Sequence, residues 1–230
     1  MESNLPTHTI RMRVEFTTRD RTGGGRTSRA RVFVRRFDDG LRRVLLRFDR
    51  PLDVRGSAML VYEKETGPND VFIYTSAAGR VRRITGHTGS GLFGTDFSYR
   101  DIESWQLLAQ AQRTRRLADR ELDGRTVYVL ENRVPVGAHD SPYERVVQMI
   151  DQESCVVLRT EFVEPGDKLR KVLSVEPESI LEIGGIRVAS ALALEDLRDG
   201  TGTRVSLEEI EIDVEIPERR FRMVELKRGR

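Results

Sequence analysis

The sequence predicts a mainly β fold, with about ten or eleven antiparallel strands in one large, strongly bent sheet and few helices. Three observations carry that expectation. Apolar residues and arginines alternate through most of the first fifty residues. Short apolar runs farther on are separated by turn clusters rich in Gly, Pro, Asn and Asp. Only one segment, beginning at Ser98, has a persuasive helical spacing. The 230 residues are read as one domain, 1–230, with 38% apolar and 33% charged residues, a moderate core inside a highly charged exterior.

In the run from His8, Ile10, Met12, Val14 and Phe16 point one way and Arg11, Arg13 and Glu15 the other, which describes a strand with one dry face. After the turn at Gly23, Gly24 and Gly25 the pattern returns. Ala30, Val32 and Val34 oppose Arg29, Arg31 and Arg35, with Phe33 alone among the basic side chains. A third strand follows Asp39 and Gly40, with Val44, Leu46 and Phe48 opposed to Arg43 and Arg47. Ser57–Tyr62 and Val71–Tyr74 are apolar without alternation, as expected of central strands covered on both faces. Thr66–Asp70 turns between them, and Ala78-Gly79 reverses the chain into Arg80–Ile84.

Ser98 and Asp101 stand at the spacing of a capping box, and Ile102, Trp105, Leu108 and Ala109 recur on one helical face. On a helix lying across a sheet, Trp105 is either a core plug or the wall of a cavity. Farther on, strands are expected at Arg113–Arg120 and Arg125–Asn132 around Asp123-Gly124, and at Tyr143–Asp151 and Cys155–Val163 around a turn at 151–153. Lys168–Val175 follows the turn at Pro165-Gly166-Asp167. A last hairpin, Ile186–Leu194 and Arg204–Val214, turns at Asp199–Gly202. Pro217 suits the first position of a closing helix with Phe221 and Val224 on its inner side.

The small net charge hides a gradient. Residues 1–50 carry 13 Lys and Arg against 6 Asp and Glu, a net of +7, whereas residues 126–230 carry 15 against 21, a net of −6. Either complementary strands lie side by side or a basic patch meets an anionic surface. Arginine-rich strands invite a nucleic-acid reading, but the aromatic interleaving of single-strand binders is missing, and no nucleic-acid partner is expected.

Little in the chain points to catalysis. His8, His87 and His139 lack a second ligand at metal spacing, so neither metal nor cofactor is expected. The single Cys155 sits in an apolar run and reads as a buried thiol. Gly89, Gly91 and Gly94 match G-x-G-x-x-G, but tight hairpins surround them where a dinucleotide site needs a parallel βαβ unit, so the loop reads as a flap over one end of the sheet. No nucleophile–base pair appears, and the protein is read as a non-enzyme. There is no transmembrane run and no secretory leader, which is expected of a cytosolic chain or of a mature form with its leader removed.

The blocks Pro51–Tyr62, Val71–Tyr74, Arg80–Ile84 and Phe93–Asp101, together with Lys168–Val175 and Ile216–Leu226 more loosely, resemble the outer-membrane lipoprotein-sorting (LolA-like) family. The resemblance implies a half-open, incomplete antiparallel β-barrel with helices covering the concave face, a periplasmic location, and an apolar cavity that shields acyl chains of a lipoprotein or lipid during transfer to the outer membrane. The family's cavity-gating arginine has no counterpart here, and longer relatives are associated with RND-type lipid exporters, so the cargo is either a lipoprotein or another lipid. The expected lining is Ile10, Met12, Val14, Phe16, Val32, Val34, Val44, Leu46 and Phe48, with Trp105 and Leu108 from the helix. The alternative is an accessory protein docking through Arg11, Arg13, Arg29, Arg31, Arg35, Arg43 and Arg47 on a transporter complex or an anionic membrane. A fully packed interior would satisfy the same alternation.

Overall fold

Alternating sequence becomes paired strand throughout a computed structural model of the chain, which describes residues 9–65, 69–84, 91–99, 101, 114–133 and 142–228. The chain divides into two compact units, whose boundary falls within three long strands, β1 (Thr9–Arg19), β2 (Gly25–Arg36) and β16 (Thr201–Ile212). One unit also holds β3 (Arg42–Arg50), β4 (Ala58–Tyr62), β5 (Asp70–Thr75), β6 (Arg80–Ile84) and the C-terminal helix α1 (Met223–Arg228). The other holds β7 (Thr114–Arg116), β8 (Arg120–Leu122), β9 (Arg125–Arg133), β10 (Arg145–Asp151), β11 (Val157–Glu164), β12 (Lys168–Val175), β13 (Ile180–Ile183), β14 (Ile186–Ala189) and β15 (Ala191–Asp196).

Fourteen strands form one sheet in the order β6, β5, β4, β3, β2, β1, β16, β15, β12, β11, β10, β9, β7, with β8 also on β9, while β13 and β14 pair with each other. The order does not return on itself, so the sheet is not closed into a barrel. These strands pair antiparallel, as the short connections dictate. Strands outnumber the expected ten or eleven because longer runs are interrupted: 113–120 breaks between β7 and β8, 186–194 breaks at Ser190, and β13 had no alternating signal.

Three other expectations change. Val224 is 49% exposed, and Leu226 is the fully buried residue of α1, because the short helix docks on the face two positions further along. The described part of the glycine loop is packed: Leu92 NH donates to Phe97 O, Thr95 Oγ1 donates to Leu92 O at 2.8 Å, and a Cβ on Gly91 would lie 1.6 Å from Thr95 O. Cys155 is half-buried in the turn before β11 with φ 57°, since Asp151 accepts from both Ser154 NH and Ser154 Oγ and ties that turn down. Helical residues begin at 99 and 101, and the rest of the expected helix lies outside the described residues. No helix among the described residues is long and apolar enough to cross a membrane.

Candidate functional site

The site grows from the two faces that β2, β3, β4 and β5 present within one unit. Phe33 is opposite Leu45, Leu45 opposite Leu60, and Leu60 opposite Phe72, so these four share a face. That face is a filled core. Phe33, Leu45, Ala58 and Leu60 pack with Ile216, Phe221 and Leu226 from the C-terminal segment, each no more than 5% exposed. Tyr62 fastens the segment by donating its hydroxyl to Phe221 O at 2.6 Å.

On the opposite face, Val34 is paired with Val44, Val44 with Val61, Val32 with Leu46, Leu46 with Met59, and Met59 with Ile73. The register thus brings together four of the five expected lining residues of β2 and β3. Phe48 joins them through the Phe16 ring, with centroids 5.9 Å apart, and this places the dry face of β1 beside them. Val14, Val32 and Phe48 are buried, whereas Ile10, Met12, Phe16, Val34, Val44 and Leu46 stay half-buried. Trp105 and Leu108 lie outside the described residues. Alternation in β1 to β3 could not flag Met59, Val61, Val71 and Ile73, which extend this face, because β4 and β5 are apolar on both sides.

The expected arginine face is the same face as the filled core, and six of its seven arginines, all but Arg47, pair with a carboxylate of the same chain. Arg11 pairs with Glu211 and Arg13 with Glu209 at 2.9 Å, so acidic β16 lies against basic β1 and the charge gradient is complementary pairing. Arg29 meets Glu15 at 2.7 Å, Arg31 meets Asp49 at 2.8 Å, and Arg35 donates to Ile216 O and Glu218. Arg43 lies 3.9 Å from the Phe37 ring centroid. Arg47, only 5% exposed, donates to the carbonyls of Gly56, Glu225 and Leu226, where it serves the last turn of α1. Burial and the neighbouring Arg31 and Arg220 push its guanidinium below the ordinary value.

In the other unit the start of the helix is locked by a group of buried polar side chains. The capping box forms in full: Ser98 NH donates to Asp101 Oδ2 at 2.7 Å, and Asp101 NH donates to Ser98 Oγ at 3.3 Å. Asp101 is fully buried, and its carboxylate also receives Lys171 Nζ at 2.8 Å and the Tyr143 hydroxyl at 2.5 Å. Burial and the adjacent Asp101 carboxylate drive the Tyr143 hydroxyl far above the ordinary phenol value, so it remains a donor. Lys171 and Tyr143 were missed from sequence because they reach Asp101 across 70 and 42 residues, and among the basic residues of β12 nothing local singles out Lys171. The sheet thereby fixes where the helix departs.

A family model of uncharacterized proteins matches residues 40–228. The chain belongs to that family. No curated protein matches the sequence. Among solved structures, the fold is similar to an outer-membrane lipoprotein-sorting protein domain from Vibrio parahaemolyticus, with TM-score 0.88, 22% identity, and coverage of 98% of this chain and 94% of that one. A DUF1329 family protein from Desulfovibrio piger ATCC 29098 gives TM-score 0.86 at 25% identity over 98% and 93% of the two chains. A LolA superfamily protein from Nitrosomonas europaea gives TM-score 0.69 at 16% identity over 97% and 94%. The fold is LolA-like, as the sequence blocks implied.

Proposed function

We propose that this LolA-like chain works as one domain, a periplasmic carrier that shields the acyl chains of a lipoprotein or another lipid on the way to the outer membrane. The observation that carries the reading is the half-buried apolar face of Met12, Phe16, Val34, Val44 and Leu46, set back to back with one that Ile216, Phe221 and Leu226 cover. In this reading the sheet curves as an incomplete barrel, the helix fixed at Asp101 covers its concave side, and Trp105 and Leu108 complete the lining. The similarity to a lipoprotein-sorting domain and to a LolA superfamily protein supports it at the level of fold. The internal pairing of the arginine face favours the carrier over docking through that face.

Burial of methylenes supplies the affinity. At about 0.8 kcal/mol each, ten methylenes contribute about 8 kcal/mol before ordering costs, and no polar code is needed. Protein purified from bacterial cells without detergent is expected to release a stoichiometric acylated species on denaturation, read by mass spectrometry. A folded Leu46→Glu variant is expected to come empty. Empty wild-type protein that also refuses a fluorescent fatty acyl probe would overturn the proposal.

A further inference from the structure

Arg220 stands apart from every arginine expected to matter. It sits in the 3-10 turn Glu218–Phe221, with its guanidinium 4.3 Å above the Phe33 ring centroid, and among the described residues it has no carboxylate or carbonyl partner for its side chain. Two hollows meet at it. One, of about 330 Å³, is lined by Arg11, Arg31, Phe33, Glu211 and Arg220. The other, of about 170 Å³, is lined by Leu45, Arg47, Arg219, Arg220 and Glu225.

A count of donors shows what these hollows want. Arg31 gives Nε and Nη2 to Asp49, and Arg11 gives Nη2 to Glu211, so each keeps an Nη1 that meets no acceptor among the described residues. Arg47 spends its Nη atoms on neutral carbonyls and retains its whole charge. The carboxylates that face the hollows are already engaged, Glu209 with Arg13, Glu211 with Arg11, and Glu225 with Arg228 at 3.5 Å. Burial first, then Arg31 and Arg11, make the Arg220 guanidinium a weaker base than an ordinary one. A guanidinium does not give up its proton, so this repulsion remains in the folded protein, only partly offset by Glu225.

We infer that the groove at Arg220 binds a phosphate group. Phosphate accepts on several oxygens at once, which suits the fork of Arg220 together with the Nη1 donors of Arg11 and Arg31. The larger hollow is at the small end of ligand pockets, fitting a phosphate ester with a short appended group, and Phe33 provides an apolar wall for that group. The site is independent of the acyl-binding proposal, because Phe33 and Leu45 face away from Val34 and Val44.

The same chemistry belongs to a soluble phosphate ester and to a phospholipid head group, and two assays separate them. Glycerol 3-phosphate is titrated calorimetrically, and flotation is run with phosphatidylglycerol against phosphatidylcholine vesicles, using wild type, Arg220→Gln and the charge-matched control Arg120→Gln. Wild type is expected to bind at least one of the two phosphate probes, with binding weakened about tenfold or more in Arg220→Gln, weakened by salt, and unaffected in Arg120→Gln. Binding of glycerol 3-phosphate points to a soluble ester, and flotation with phosphatidylglycerol alone points to a head group. Thermal unfolding confirms that both variants fold, and a lysine at position 220 is expected to restore part of the binding. Failure of both probes with wild type, or equal losses in the two glutamine variants, would overturn the inference.

Discussion

The two faces of β2 to β5 are made from the same kinds of residue and end in different states. Phe33, Leu45 and Leu60 on one side, and Val34, Val44 and Leu46 on the other, alternate along the same strands. The first set is closed over by Ile216, Phe221 and Leu226, whereas much of the second remains half-buried. Apolar alternation therefore reports only that a face avoids water. What covers the face, a segment of the same chain or a ligand, depends on contacts far away in sequence.

The largest difference is expected when each face is cut back. Phe221→Ala removes a fully buried ring from the closed face and is expected to cost about 3–5 kcal/mol. Val44→Ala trims a half-buried side chain on the other and is expected to cost about 1 kcal/mol or less. Denaturant unfolding measures both. Similar losses would mean that the two faces are packed alike, and the carrier reading would lose its main support.

Much of this comparison was legible in the sequence, for a physical reason. Strand periodicity and turn chemistry are local, so the register that joins Val32, Val34, Val44 and Leu46 followed from alternation between identifiable turns. The capping box at Ser98 and Asp101 was legible for the same reason. What stayed hidden was nonlocal. Phe33 stood out among arginines, but nothing nearby showed that the C-terminal segment, reached 181 residues later by the Arg35 to Ile216 hydrogen bond, covers that face. The basic strands looked like a docking surface because their carboxylate partners on β16 lie about 200 residues away, as the Arg11 to Glu211 pair illustrates. Sequence alone cannot separate Val224 from Leu226 as the inward residue, because a six-residue helix is too short to fix its own phase.

A smaller effect sharpens the origin of the closed face. Tyr62→Phe keeps the ring against Phe72, at 5.7 Å between centroids, and deletes only the hydroxyl that reaches Phe221 O. The expected cost is about 1 kcal/mol, the usual net worth of one intramolecular hydrogen bond. Amide exchange should quicken in the C-terminal segment while β4 stays protected. Uniform quickening across the sheet would show that the segment and the strands open together, making the cover part of the sheet's own cooperative unit.

The smallest effect concerns the strand pair that both faces share. Glu63, just after β4, accepts from Arg42 NH at 2.7 Å, Arg42 Nε at 3.1 Å and Arg42 Nη2 at 2.8 Å. Burial alone would raise its carboxyl, but the Arg42 donors and charge outweigh that, and the group is held below its ordinary 4.5. A depressed acid binds protons more readily when unfolded. Its contribution is therefore complete above about pH 5 and is lost as the pH falls through the folded-state value. Glu63→Gln is expected to lower stability modestly at neutral pH and to make the acid loss shallower than in wild type. Because Arg42 and Glu63 continue the Val44 and Val61 face only at the end of the β3–β4 pair and take no part in the closed core, the difference between Phe221→Ala and Val44→Ala should persist in that background. A changed difference would mean that the closed face and the half-buried one are coupled through this strand pair, so that filling one would alter the packing of the other.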